Sequence, residues 1–232
     1  MVWVVIGCVL AALILAAVVS CAALLCRRPR FPAHIEGSGF VQARGEHLYD
    51  GAGNLLQLKG VNFGNWFIQE PWMSLASVGS FDTGRYTQRR GRAAMLQNPN
   101  LSAAQAEELE QLYLRSYIRE EDFRQVARLG MNAVRIPFSY MNLEEDGALR
   151  ENAFERLDWA VAMCRKYGLY AVLDLHGAHG SQNMDHHSGD DARFDLYGNA
   201  ENEAKTEALW RAIAAHYRGE RTVAGYDLLN EP

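Results

Sequence analysis

Four side chains that can do chemistry stand at the ends of apolar, strand-like segments. Arg135 lies inside a Val-Arg-Ile-Pro segment, and His176 directly follows an apolar run. The pair Asn230-Glu231 follows another, and Pro232 cannot supply a ladder N–H, so pairing ends there and the glutamate is left at the edge. Glutamic acid and histidine exchange protons near neutral pH, and a guanidinium keeps a neighbouring carboxylate ionised. The set indicates acid/base chemistry, although each residue taken singly has an ordinary structural explanation.

Alternating helix and strand patterns bring these residues to one edge of a sheet. Amphipathic periodicity with a glycine stop predicts helices over 120–129, 151–167 and 202–217. Apolar runs predict strands over 132–137, 169–175 and 223–229. Near-continuous apolar strands separated by such helices indicate an α/β fold with a parallel sheet. Because parallel strands share one carboxyl-end rim, we expect the arginine, histidine, asparagine and glutamate to converge there.

The segments before these units are less regular. A turn over 50–54 between apolar runs predicts a β-hairpin, and 61–63 is a further strand candidate. The stretch 66–100 has no clear pattern and is too long for an ordinary connection, which favours a functional loop or an insertion. Ser102 and Gln105 match the N-cap and third position of a capping box, so a helix is predicted to begin there.

Composition excludes some classes of partner. The formal net charge is -5, and no basic stripe is present, so no nucleic-acid partner is expected. Of four cysteines, only Cys164 lies outside the apolar N-terminal region. The globular part therefore has neither an internal disulfide nor a paired-cysteine zinc site.

Six segments, in this order and spacing, resemble the sequence blocks of glycoside hydrolase family 5. They are Lys59–Trp66, Gln69–Pro71, Glu120–Phe123, Asn132–Pro137, Asp174–Asn183 and Leu228–Pro232. Within that family the Gly-Ser-Gln-Asn segment at 180–183 and the Glu-Pro pair at 70–71 are most similar to the exo-β-1,3-glucanase branch. The resemblance covers nearly the whole chain from Phe40 onward.

This resemblance implies the first half, about four βα units, of a (β/α)8 TIM barrel preceded by the β-hairpin. It also implies hydrolysis of a β-linked glucan with retention, without a cofactor or metal. Glu231 would be the general acid and then the base, and Asn230 would hold the 2-hydroxyl of the reacting sugar. Arg135 would stabilise the nucleophile, His176 would line the same subsite, and Glu70 would bind terminal sugar hydroxyls.

Three details qualify this picture. A retaining mechanism needs a second, ionised carboxylate about 5 Å from the first. In the family this nucleophile lies on the seventh strand. We therefore expect this chain to be incomplete, to lack the nucleophile and to be inactive alone. His187 stands where the exo-glucanase branch commonly has a sugar-contacting asparagine, so cellulose, mannan and short glucosides are alternative substrates. Trp66, with Trp72, Phe81 and Tyr86, offers aromatic rings that either stack on sugars or belong to the core.

Two rival interpretations stay open. A non-catalytic, membrane-anchored carbohydrate-binding protein needs no nucleophile. A metal-dependent hydrolase would use ligand-type side chains clustered after the apolar strand over 169–175. These are His176, His179, Asp185, His186, His187, Asp190 and Asp191.

The N-terminus reads as a separate module. No charged side chain occurs from Val2 to Cys26, and about 20 apolar residues suffice to cross a bilayer. We predict a transmembrane helix over 1–26, a linker over 27–39 and a glycosidase-like body over 40–232. A cleaved signal peptide is the alternative, weakened because no Lys or Arg precedes the apolar run. The arginines that follow it would favour a cytoplasmic body, but a polymer substrate leads us to expect the body outside.

Overall fold

The structure, a computed structural model, describes residues 39–73, 87–145 and 147–232. The first element of this part of the chain is a small antiparallel sheet. Its strands are β1 (Gly39–Arg44), β2 (His47–Gly51) and β3 (Leu55–Leu56). The predicted turn over 50–54 joins β2 to β3, and β1 adds a further pairing with β2 that the sequence pattern did not predict. Asp50 stabilises the predicted turn, because its Oδ1 accepts the backbone N–H groups of Ala52 and Asn54.

A four-stranded parallel sheet with the order β4-β5-β8-β9 positions the candidate site. In chain order the strands are β4 (Gly60–Asn62), β5 (Ala133–Ser139), β6 (Glu144–Glu145), β7 (Ala148–Leu149), β8 (Tyr170–Gly177) and β9 (Val223–Asp227). β6 and β7 form a separate antiparallel pair. The parallel sheet with intervening helices confirms the predicted α/β class.

Six α-helices occur in the described chain. They are α1 (Gln88–Gln97), α2 (Ala103–Tyr117), α3 (Glu120–Arg128), α4 (Tyr140–Leu143), α5 (Glu155–Tyr167) and α6 (Ala200–His216). α2 begins with the predicted capping box, in which Ser102 Oγ accepts from the Gln105 backbone N–H and Gln105 Oε1 accepts from that of Ser102. α1 lies inside the stretch expected to be irregular. Its run of glutamine and arginine around Gly91 lacks an apolar period, and Thr87 caps it by accepting from the Arg90 backbone N–H.

The core takes alternate residues of the central strands. Fully buried side chains there include Val134, Ile136, Phe138, Leu173 and Leu175 from the strands and Phe123, Leu157 and Ile213 from the helices. Because successive strand residues point to opposite faces, the residues between them are directed to the other face. That second face carries the polar side chains described below.

The predicted membrane segment over 1–26 lies outside the described residues, as does the predicted linker up to residue 38. Within residues 39–73, 87–145 and 147–232 there is no helix with the length and hydropathy that crossing a bilayer requires.

Candidate active site

The strand register places a row of polar side chains on one face of the sheet. Asn62 of β4 lies beside Arg135 of β5. Arg135 lies beside Val172 of β8, two residues before Asp174, and Asp174 lies beside Asp227 of β9. Because residues two apart on a strand share a face, the polar side chains of the four strands point the same way.

Arg135 is the centre of this row. Its Nη1 lies 3.1 Å from both Asn62 Oδ1 and Asp174 Oδ2. Nε and Nη2 donate to Asp227 Oδ2 at 3.0 and 2.9 Å, and Nη2 also donates to Asn230 Oδ1 at 2.8 Å. A guanidinium presents five donors in a fixed plane, so one side chain ties together all four strands and the segment after β9.

Asp174 and His176 form a buried pair next to Arg135. His176 Nδ1 lies 2.6 Å from Asp174 Oδ2, and the aspartate side chain is fully buried. Burial raises the pKa of Asp174, while the hydrogen bond from His176 and the charge of Arg135 oppose that rise. Asp174 was missed as a site residue, although its spacing of two from His176 in an apolar strand was a readable signal.

Glu70 reaches the same region from the segment after β4. It is buried, and its Oε2 accepts a 2.8 Å hydrogen bond from Trp72 Nε1. His186 Nε2 lies 3.5 Å from the same oxygen, and His176 Nε2 lies 3.9 Å from Oε1. The structure therefore brings the predicted Glu70 next to the predicted His176.

Asn230 and Glu231 follow β9, which ends at Asp227 and is two residues shorter than predicted. The ladder nevertheless continues, because the Asn230 backbone N–H donates to the Leu175 carbonyl at 3.1 Å. Asn230 is buried, whereas the Glu231 side chain is 71% exposed. The carboxyl group of Glu231 is thus at the rim and open to solvent.

His187 links these two residues. Its Nδ1 lies 3.3 Å from Asn230 Nδ2, and its Nε2 lies 3.2 Å from Glu231 Oε2. The ring itself is buried. A chain of contacts therefore runs from Glu231 through His187 and Asn230 to Arg135.

Two amides of the segment after β8 hold this arrangement in place. Gln182 Nε2 donates to the carbonyls of His176 at 2.8 Å and of Asn230 at 3.0 Å. Asn183 Nδ2 donates to the Glu231 carbonyl at 3.0 Å. They connect the end of β8 to the segment after β9, so residues from both strands share one rim.

Trp66 does not lie at this rim. It is fully buried, and its indole Nε1 donates to the Leu114 carbonyl at 2.7 Å. Its ring packs edge-on against Phe63 and Trp159, which leaves no exposed face for a sugar and corrects the expectation of stacking. Trp72, beside Glu70, is 66% exposed. Phe81 and Tyr86 lie outside the described residues.

The ligand-type residues grouped in the metal interpretation are divided among separate partners. His179 Nε2 lies 2.7 Å from Glu144 Oε2. Asp190 and Asp191 bind Arg89 and Arg90 at 2.6 and 2.7 Å respectively. In the part of the chain that the structure describes, no three His, Cys, Asp or Glu side chains are grouped so that they could hold a metal ion.

The amino-acid sequence of this chain is similar to those of known glycoside hydrolases. The family model Cellulase (glycosyl hydrolase family 5) matches residues 94–232. A glucan 1,3-beta-glucosidase of Candida oleophila is 36% identical over 192 residues, which are 76% of this chain and 42% of that protein. A beta-xylosidase of Phanerodontia chrysosporium is 29% identical over 197 residues, which are 83% of this chain and 39% of that protein.

The fold is shared with solved structures. The crystal structure of rutinosidase from Aspergillus niger matches with a TM-score of 0.64 at 17% identity, over 76% of this chain and 49% of that one. The chain thus spans about two fifths of the length of these curated relatives and about half of that solved chain. The family match confirms the resemblance seen in the sequence blocks: the chain belongs to glycosyl hydrolase family 5.

Proposed function

We propose that the protein acts as a glycosidase on a β-linked glucan, with retention of configuration and with Glu231 as general acid and base. The observation that carries the proposal is the connected array at the rim, which joins Glu231, His187, Asn230 and Arg135 through contacts of 2.8 to 3.3 Å. Family membership supports the reaction class. The relative at 36% identity, a glucan 1,3-beta-glucosidase, supports the substrate class.

In this proposal Glu231 protonates the glycosidic oxygen as the bond to the anomeric carbon breaks, and later takes a proton from the attacking water. Its exposed position admits a chain-like substrate. Asn230 Nδ2 carries two hydrogens, so it can bind His187 and a sugar 2-hydroxyl together. Glu70, held by Trp72 and close to His176, accepts hydrogen bonds from the hydroxyls of the terminal sugar.

The second carboxylate of a retaining mechanism is not among the residues that we assign. Asp174 is fully buried and bound by His176 and Arg135, and Asp227 also binds Arg135. Both therefore act as counter-ions of the guanidinium in this proposal. An external anion such as azide can take the place of a missing nucleophile, and this makes the role of Glu231 testable in the 232-residue chain.

The test uses phenyl β-glucoside, a substrate whose poor leaving group depends on protonation. Without azide we expect no turnover. With azide, the nitrogen forms a bond to the anomeric carbon on the α face, the bond to the phenolic oxygen breaks, and Glu231 protonates the departing phenolate. The expected product is α-glucosyl azide.

Two variants, one of Glu231 and one control, test the role of Glu231 in this assay. Glu231→Gln should lower the azide rate about 100-fold or more, because general acid catalysis contributes on that scale. Glu46→Gln removes another exposed carboxylate, in the turn between β1 and β2, and should leave the rate unchanged. Robust hydrolysis without azide would overturn the statement about the nucleophile, and equal rates for Glu231→Gln would overturn its role. Binding of laminaribiose with no product in any arm would favour the non-catalytic carbohydrate-binding alternative.

The proposal includes a membrane anchor over 1–26 and a body on the outer side. Its support is the uncharged segment Val2–Cys26, together with the expectation that a polymeric glucan is met outside the cell. Protease added to intact cells should digest the body. Full protection of the body until the cells are lysed would contradict this side.

A further inference from the structure

His187 occupies a buried position between a fixed amide and an exposed carboxylate. Its Nδ1 lies 3.3 Å from Asn230 Nδ2, and its Nε2 lies 3.2 Å from Glu231 Oε2. Asp185 Oδ2 lies 3.7 Å from the same Nε2. The rings of His176 and His186 meet it edge-on with centroids 5.9 Å away.

Arg135 decides which way the Asn230 amide points. Arginine has only donors, so the atom that lies 2.8 Å from its Nη2 must be the amide oxygen. The amide nitrogen is then directed to His187. Because a side-chain amide nitrogen can only donate hydrogen bonds, the His187 Nδ1 that faces it must be the acceptor.

The accepting role of Nδ1 determines where the proton of the neutral ring lies. A neutral imidazole has one N–H, and the hydrogen bond at one nitrogen selects the tautomer. The proton of His187 therefore lies on Nε2, which is 3.2 Å from Glu231 Oε2 and 3.7 Å from Asp185 Oδ2 and makes no hydrogen bond to either. His176 has the opposite arrangement, because its Nδ1 lies 2.6 Å from Asp174 Oδ2, an oxygen that also forms an ion pair with Arg135.

We propose that His187 is a positioning residue for Glu231: Arg135 orients Asn230, and Asn230 holds His187 as the Nε2–H tautomer. That N–H is buried and has no hydrogen-bond partner among the described residues, so it is a donor available to the Glu231 carboxylate, which lies 3.2 Å away. The relay gives the exposed carboxylate a directional partner set by buried groups. Its catalytic meaning rests on the proposed function, whereas the tautomer itself does not. This role differs from the direct sugar contact that the resemblance implies for this position.

Nitrogen NMR of the full 232-residue chain tests the relay directly. Long-range proton–nitrogen correlations of chain labelled with ¹⁵N-histidine distinguish the protonated from the bare ring nitrogen. At pH 7 we expect His187 to be protonated at Nε2 and His176 at Nδ1, so the two rings are internal references for each other. The variant His187→Gln assigns the resonances by their loss.

A substitution at Asn230 should reverse the direction of the hydrogen bond between residue 230 and His187. In Asn230→Asp an acceptor replaces the donor amide, so His187 Nδ1 should gain a proton. Asn199→Asp makes the same chemical change at the N-cap of α6, where aspartate also caps, and should leave His187 unchanged. A wild-type His187 protonated at Nδ1, or a spectrum unaltered by Asn230→Asp, would overturn the proposal.

The effect of His187 on catalysis is measured in the azide assay. His187→Leu should lower kcat about tenfold with KM within twofold, since about 1.4 kcal/mol of lost orientation corresponds to a factor of ten. His187→Gln, which retains an N–H donor, should recover most of that rate. An unchanged kcat in His187→Leu would refute the positioning role. Failure of the azide reaction in wild type together with the expected tautomers would refute the proposed function and leave the relay standing.

Discussion

Arg135 Nη2 and Asn230 Oδ1 are joined by a 2.8 Å hydrogen bond between residues 95 positions apart in the chain. The same guanidinium binds Asp174 and Asp227 on two neighbouring strands. The orientation of the Asn230 amide, predicted to bind sugar, is thus set by the Arg135 guanidinium, which in turn is held by the two aspartates. Site geometry and sheet stability should therefore respond together to changes at Arg135.

Removing the guanidinium should destabilise the fold. Arg135→Ala leaves the fully buried Asp174 without its cation, and breaking a buried ion pair costs about 3 kcal/mol or more. Urea unfolding followed by circular dichroism measures the loss. Arg211→Ala removes an arginine of which 78% is exposed, paired with Glu207, and should change the free energy of unfolding by about 0.5 kcal/mol or less. Similar losses for both variants would contradict the central role of Arg135.

Two aspartates should shape the pH dependence of stability with opposite signs. Burial raises the folded-state pKa of Asp174 above the ordinary 3.8, so its contribution is complete below that pH and is lost as pH rises through the folded pKa. The side-chain and backbone hydrogen bonds from Asn54 lower the pKa of Asp50, so its contribution is present above 3.8 and is lost as pH falls.

The corresponding measurement compares wild type with Asp174→Asn and Asp50→Asn between about pH 3 and pH 7. The free energy of unfolding of wild type relative to Asp174→Asn should decrease with rising pH. Relative to Asp50→Asn it should increase. Slopes of the same sign for the two aspartates would show that one of the assigned causes is wrong.

Glu70 should contribute to sugar affinity through its charge. Glu70→Gln keeps the shape and an acceptor for Trp72 Nε1 but removes the carboxylate. Hydrogen bonds to charged groups contribute about 1.5–3 kcal/mol, so affinity for laminaribiose should fall about tenfold or more in calorimetric titration. Glu46→Gln is the matched control and should bind as wild type does. Equal dissociation constants for all three proteins would remove Glu70 from the binding site.

The two tryptophans near Glu70 should behave differently. Trp66→Phe removes the hydrogen bond to the Leu114 carbonyl and leaves a cavity in the core, so the free energy of unfolding should fall by about 2 kcal/mol. Trp72→Phe changes an exposed ring and should alter it by about 0.5 kcal/mol or less. If Trp66→Phe left the stability unchanged and abolished sugar binding, Trp66 would be a sugar-contacting residue and not a core residue.

The sequence by itself determined the local features. The capping box at Ser102 and Gln105, the helix over Glu120–Arg128 and the strands β5 and β8 follow from residues close together in the chain. Periodicity and capping are encoded over a few residues, and for that reason they were readable. The family blocks were readable in the same way.

Tertiary structure alone decided the partners across the sheet. Whether Arg135 meets Asp174 and Asp227 depends on the register of three strands, and no local pattern encodes that register. The burial of Trp66 depends on side chains more than forty positions away, such as Leu114. The contact of His187 with Glu231 likewise joins two loops that are neighbours only because β8 and β9 lie side by side. Long-range contacts of this kind arise from packing, so they became visible only with the fold.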